Sequence, residues 1–213
     1  NKDTLYLRDR ESIKTLTKLG IKKKNIHFIG RELKIKHNKL YLNAMKIKIF
    51  FDKYISNINK PDLIYTHSWE GGHEDHDTCN LIARNIKKKH KIKNCYQFSL
   101  YNSFNTSIIF FKVFNPIEKS NGKKIFAPIL DRIYFIKLLF NYTSQIKTWV
   151  GLYPFIIFHY LFKGFNFIEI LDRNRIIQRP HNGNLLYERR GFCKFETLKK
   201  RTSFLLNDLK LRE

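Results

Sequence analysis

The run Trp69-Glu70-Gly71-Gly72-His73-Glu74-Asp75-His76-Asp77 holds two imidazoles three residues apart, an aspartate between them and carboxylates on both flanks. Such a group is costly to bury without a task, and behind a glycine pair at the end of a strand it reads as part of a metal or acid–base site. If a helix begins here, His73 and His76 share a face with their Cβ atoms about 5–6 Å apart. One imidazole can then bind a metal while the other touches a substrate. Asp75 is placed to hold an imidazole N–H, which fixes the tautomer and raises the basicity of the ring. Gly71-Gly72 permits a sharp turn and leaves space for a ligand, and the helix start presents free N–H groups to an oxyanion. The competing description is a polar strand-to-helix loop with Asp75 or Asp77 as the helix cap; the density of ionisable groups favours a functional site. His67 either points into the same crevice or finishes the strand. A catalytic zinc generally takes three protein ligands and a water, and this run offers one or two; His27, His37, His90, His159 and His181 are scattered.

The elements that must position this run alternate. Apolar spacing predicts a helix over residues 8–19 stopped by Gly20, a strand over 25–30, a helix over 43–58 broken by Pro61, a strand over 62–66, a helix over 75–89 and a strand over 95–101. That order is expected of an α/β fold with a mostly parallel sheet and helices on both faces, where ligands sit beyond the carboxyl ends of the strands. Beyond residue 102 the pattern predicts a strand over 108–114, a turn at Ser120-Asn121-Gly122, a helix over 131–147, a strand over 167–171, an ordered loop over 178–183 and a closing helix over 195–211. No repeat or linker divides the chain, so one domain over residues 1–213 is expected.

The 213 residues carry 41 Lys and Arg against 18 Asp and Glu, a formal charge of +23. Such a surface attracts nucleic acid, anionic lipid or phosphorylated substrates. The lysines are spread over nearly every segment, without the stripe of basic and aromatic residues a nucleic-acid binder shows, so compositional drift is the favoured explanation and no specific nucleic acid is expected. Three cysteines, Cys79, Cys95 and Cys193, form no CxxC pair or disulfide framework, which suits a reducing, cytoplasmic setting. The apolar stretch 149–162 is interrupted by Pro154 and His159 and is shorter than the ~20 residues that span a bilayer. It reads as a buried helix in preference to an interfacial patch, the latter leaving peripheral membrane contact open. The chain starts at Asn1 without an initiating Met or a signal peptide, and an N-terminal segment is expected to be missing.

Taken with its flanking strand and helix, Glu70-Gly71-Gly72-His73-Glu74-Asp75-His76-Asp77 resembles the GGHxDHD motif of the PIG-L/LmbE-type N-deacetylases. Arg10-Glu11 leading to Leu19-Gly20-Ile21, Lys137 with Tyr142-Thr143-Ser144-Gln145, and the loop from Arg179-Pro180-His181-Asn182-Gly183 to Glu188 resemble further stretches of that family in the right order. The resemblance implies a Rossmann-like three-layer fold. It also implies Zn2+ or another divalent metal that serves removal of an N-acetyl group from an amino sugar or related glycoconjugate. By motif position His76 would be the metal ligand, His73 the donor to the tetrahedral intermediate and leaving amine, and Asp75 the residue that tunes His73. Glu70, Gly72, Arg179 and His181 are the candidate substrate-binding residues. The family's first motif, His-x-Asp-Asp-Glu, supplies two metal ligands and the general base. Nothing here matches it. It would belong upstream of Asn1, so the domain is expected to be N-terminally incomplete and to lack its first strand. The alternatives are a catalytically inactive family member and a basic anion- or nucleic-acid-binding module.

Overall fold

The computed structural model of the chain describes residues 2–58, 60–107, 110–117, 123–125, 127–146, 150–162, 165–169 and 178–210. It is a mixed α/β structure of two compact units, one built from residues 1–29 and 125–165, the other from 30–124 and 166–213.

In the first unit Lys2–Lys18 form α1, closed by Gly20 at φ +87°, a left-handed stop that glycine adopts without strain. Ile129–Leu139 form α5 and Tyr153–Phe162 form α6. The helix read from sequence over 131–147 ends early, because the buried Glu11 of α1 captures the chain there: its carboxylate accepts the Thr143 hydroxyl at 2.9 Å, the Ser144 N–H at 2.8 Å and the Ser144 hydroxyl at 2.5 Å. Burial pushes the Glu11 carboxyl up, and these donors outweigh it to leave the group below its usual range. Helix α6 corrects a second expectation. It buries Ile156 and His159 but leaves Phe155, Phe158 and Phe162 exposed, so only one of its sides is core. No strand forms over 25–30; a single 3-10 turn at Lys23–Asn25 leads into the short helix α2, Ile29–Glu32.

The second unit holds the sheet. After α3 (Ala44–Ser56), β1 (Leu63–His67) runs parallel to β2 (Asn94–Phe98), with His67 opposite Phe98, and α4 (Glu74–Lys89) is the crossover between them. This is the βαβ unit that the alternation in the sequence implies. The chain then gives β3 (Tyr101–Asn102) paired antiparallel with β4 (Lys112–Val113), and β5 (Lys123–Ile125) and β6 (Phe165–Glu169) complete the order β1-β2-β6-β5. β6 pairs with β2 antiparallel, so the described sheet is mixed. Residues 108–109, the turn at 120–122 and residues 170–171 lie outside the described residues. Among the described residues no helix is long and apolar enough to cross a membrane.

Helix α4 is buried along most of its length and packs against the closing helix α8 (Phe195–Lys210), which follows the one-turn helix α7 (Leu186–Arg189). Leu81, Ile82 and Ile86 meet Leu198, Leu205 and Leu206, with Tyr41, Ile47 and Ile55 closing the same core. Leu198 is fully buried there. Leu198→Ala is therefore expected to lower the stability of this unit by about 2–5 kcal/mol, read as a reduced urea midpoint.

Candidate functional site

The strand β1 delivers His67 to the carboxyl end of the sheet, and the chain then turns into α4. His73 is the N-cap, with φ −145° and ψ 135°, and its Nδ1 accepts the Asp75 N–H at 3.1 Å. Glu74, Asp75 and Asp77 in the first turn and Lys87, Lys88 and Lys89 in the last match the helix dipole at both ends. The helix is latched to the sheet by Asn80, whose amide donates to the His67 carbonyl at 2.7 Å and to Gln97 Oε1 at 2.8 Å.

Three carboxylates shape the loop. Asp77 accepts the N–H groups of Glu70 (3.1 Å) and Gly71 (3.2 Å), which folds the loop back over the first turn of the helix. Glu70 reaches the opposite way and takes four donors: the Ser99 hydroxyl at 2.5 Å, the Leu100 and Tyr101 N–H groups at 2.8 and 3.2 Å, and the Asn102 amide at 3.1 Å. Asp75 accepts the N–H groups of Asn38 and Leu40, each at 2.9 Å, and so draws the segment before α3 across the helix start. Burial pushes Glu70 and Glu74 up to about 7 and Asp77 well above the usual carboxylate range; the donors on Glu70 and Asp77 act against that rise.

Four imidazoles gather over this frame. The His67 and His76 rings stack with centroids 4.1 Å apart, His76 and His73 follow at 4.8 Å, and His37 meets His73 edge-on at 5.7 Å. Phe98 and Tyr101 flank the stack, at 5.0 Å from His67 and 5.6 Å from His76. Burial, followed by the neighbouring imidazoles, holds His67 down to about 4 and His76 to about 2; burial also lowers His73, against the pull of Asp75. All three are neutral at physiological pH, the form that ligates metals. The buried atoms without a hydrogen-bond partner include the Nδ1 of His67, the Nδ1 of His76 and both carboxylate oxygens of Glu74. His73, Glu74 and Asp75 also bring one ligand atom each within 4.8 Å of one another. The exposed Arg190 guanidinium lies 5.9 Å from the ring centres of both Tyr101 and Phe111.

His73 and His76 thus come together as their spacing implies. The Asp75 carboxylate bonds to backbone at Asn38 and Leu40, and its hydrogen-bonded link to His73 runs through its own N–H. The sequence predicts substrate contacts at Glu70 and Gly72; in the structure the first is enclosed by donors from the β2–β3 connection. At Gly72 the room is filled by backbone, since a Cβ there would lie 1.9 Å from the Tyr101 carbonyl oxygen. Arg179 pairs with Glu188, donates to the Gly183 carbonyl at 3.2 Å and lies 5.4 Å from the centre of the Phe195 ring. His181 is buried, with Nδ1 2.7 Å from the Asn182 carbonyl and Nε2 3.4 Å from Ser103 Oγ. These contacts organise the C-terminal loop. Glu74 lies within the run that reads as a site but has no role of its own there, and His37 has no functional signal in the sequence, because it lies far from the motif along the chain and only Asp75 brings its neighbours in.

Compared with protein-family models, with curated proteins and with solved structures, the chain gives no match to any of them.

Gly72→Ala forces a Cβ into the Tyr101 carbonyl and is expected to cost about 1–3 kcal/mol or more, seen as a lowered melting temperature. Stability should also fall from pH 6.5 to about 8. Glu70 and Glu74 keep their protons to about 7 when folded against 4.5 unfolded, so the folded state binds more protons in that window. His67 and His76 act the other way, losing stability as pH drops below 6.5, and contribute little above it. Glu74→Gln should flatten the alkaline fall; an unchanged slope in urea midpoints across pH would contradict a protonated Glu74.

Proposed function

We propose that the chain is the metal-binding part of a PIG-L/LmbE-type N-deacetylase with a Rossmann-like three-layer fold, acting on an N-acetylated amino sugar or glycoconjugate. The observation that carries this is the stack of His67, His76 and His73 where β1 passes into α4, with neutral rings and an unpartnered Nδ1 on His67 and on His76. Its support from sequence is the GGHxDHD motif at that turn. The donor set suits a borderline ion such as Zn2+, which takes imidazole nitrogen and carboxylate oxygen.

His76 would hold the metal; the Glu74 carboxylate, whose Oε2 lies 3.5 Å from His73 Nδ1, and the Nδ1 of His67 are further candidate donors without hydrogen-bond partners. When bound, a divalent ion acidifies a water and polarises an acetamide carbonyl. His73 has a separate task. Its Nδ1 accepts the Asp75 N–H, so its proton sits on Nε2, where it can donate to an oxyanion and then to the departing amine. Asp75 secures that arrangement through the backbone and, by its charge, keeps the ring more basic than burial alone would. The exposed Arg190 guanidinium adds positive charge beside developing negative charge. The family's general base and its further metal ligands belong to a His-x-Asp-Asp-Glu motif that these 213 residues do not contain.

In the whole protein, His76→Ala should lose metal on dialysis, measured by elemental analysis. His73→Ala should retain metal while release of acetate from an N-acetylhexosamine falls about 10²–10³-fold, as for loss of one electrophilic donor. Full metal retention by His76→Ala, or undiminished acetate release by His73→Ala, would overturn the assignments.

A further inference from the structure

The first unit combines two properties that a free aqueous surface does not favour together. It is strongly basic, with twelve Lys and Arg against four Asp and Glu over residues 1–29 and 125–165. Its helices also keep apolar faces uncovered. On α6, a helix without a single Lys, Arg, Asp or Glu, Phe155, Phe158 and Phe162 fall at positions i, i+3 and i+7 and are 58%, 54% and 66% exposed. On α5, Ile129, Leu130 and Ile133 share one face with Lys137, and Leu130 is 76% exposed. The two helices do have inner sides: Arg132 donates to the carbonyls of Ala127 and Leu161, Phe135 meets Tyr160 at 6.2 Å, and Phe140 stacks on Tyr153 at 5.4 Å. Phe158 and Phe162 also touch each other, at 5.1 Å, and Phe155, Phe158 and Phe162 each remain more than half exposed. Apolar exposure of this kind marks an interaction surface.

The charge selects the occupant. A second copy would bring one basic unit against another, and like charges oppose that approach. An anionic bilayer satisfies both properties, since Phe and Leu enter the boundary between headgroups and acyl chains while Lys and Arg meet the lipid phosphates. Length fixes the mode. Ten residues of α6 give about 15 Å of helix, half of the ~30 Å hydrocarbon core, so the helix lies in the interface and does not span it.

We propose that the α5–α6 helix pair is a docking surface for an anionic lipid bilayer, with Phe155, Phe158 and Phe162 as its inserting edge. It stands on different residues from the deacetylase proposal, and either can fail without the other.

The test is co-sedimentation of the whole chain with vesicles of phosphatidylcholine alone and with vesicles in which a third of the lipid is phosphatidylglycerol. Partitioning onto the anionic vesicles should be at least tenfold stronger and should weaken between about 0.1 M and 0.5 M salt. Replacing Phe155, Phe158 and Phe162 together by Ser should lower it at least tenfold. As a readout independent of that triple variant, Phe158→Trp should add an emission component that shifts to the blue on anionic vesicles and is quenched by brominated acyl chains. Absence of anionic-vesicle binding, binding that the serine variant leaves intact, or an added indole emission that the brominated chains leave unquenched would each overturn the proposal. So would a stable dimer in solution that the serine variant dissolves, or tight binding to generic duplex DNA without binding to vesicles.

Discussion

Asp77 has no exposed surface, and its carboxylate receives the N–H groups of Glu70 and Gly71 from the loop that leaves β1. Through this contact a residue in the first turn of α4 fixes the path of the chain that precedes the helix. The rest of the site follows from it. With Glu70 held, its side chain is committed toward Ser99, Leu100, Tyr101 and Asn102, which anchors the connection after β2. With Gly71 held at φ +72°, its carbonyl meets the Leu186 N–H at 2.8 Å and Leu185 fills the space a side chain would need. One buried carboxylate therefore joins β1, α4, the β2–β3 connection and the C-terminal loop. In a chain with so few acids, these are spent on N–H groups inside the unit.

The legible part of the sequence was the part in which local chemistry and tertiary structure agree. The helices at Ala44–Ser56, Glu74–Lys89 and Phe195–Lys210 and the parallel pair β1 and β2 all follow from apolar spacing and from Pro61 as a break. The strand expected over 25–30 failed because an apolar triplet, Ile26 with Phe28 and Ile29, does not distinguish a strand from a turn entering a helix. The helix expected to reach 147 failed for a tertiary reason, since Glu11 lies more than 130 residues away from the Ser144 it holds. The site divides in the same way. His73 and His76 were visible because a helical spacing brings them together, whereas His37 depends on a pair of long-range bonds to Asp75. Glu70 and Gly72 were conspicuous by type, yet types alone cannot tell a residue that contacts ligand from one that builds the loop. Both build the loop.

The acids and the histidines of the site are displaced in opposite directions by the same cause. Desolvation disfavours whichever form is charged, so it lifts Glu70, Glu74 and Asp77 and depresses His67, His73 and His76. The imidazoles also disfavour one another's protonation, and Arg190 adds to this at His73. Near neutrality the cluster thus presents unprotonated nitrogens beside carboxyl groups that are poised to lose protons. A cation arriving there would reverse both biases at once, because positive charge stabilises carboxylates and uses the free lone pairs of neutral imidazoles.

The cap of α4 carries this a step further. A helix cap is usually a serine, threonine, aspartate or asparagine, whose oxygen accepts an early N–H of the helix. Here an imidazole nitrogen does so, and the cost of choosing a larger, weaker cap has a chemical return. Once Nδ1 accepts from Asp75, the neutral ring must carry its proton on Nε2, and rotation about the ring is fixed by the start of a helix whose interior is fully packed. Orientation, tautomer and helix initiation are then set by one bond. A surface histidine would need a separate partner for each of these. The same bond explains why Asp75 can influence His73 while both of its carboxylate oxygens are bound to Asn38 and Leu40: its backbone supplies the hydrogen bond and its side chain supplies only the field.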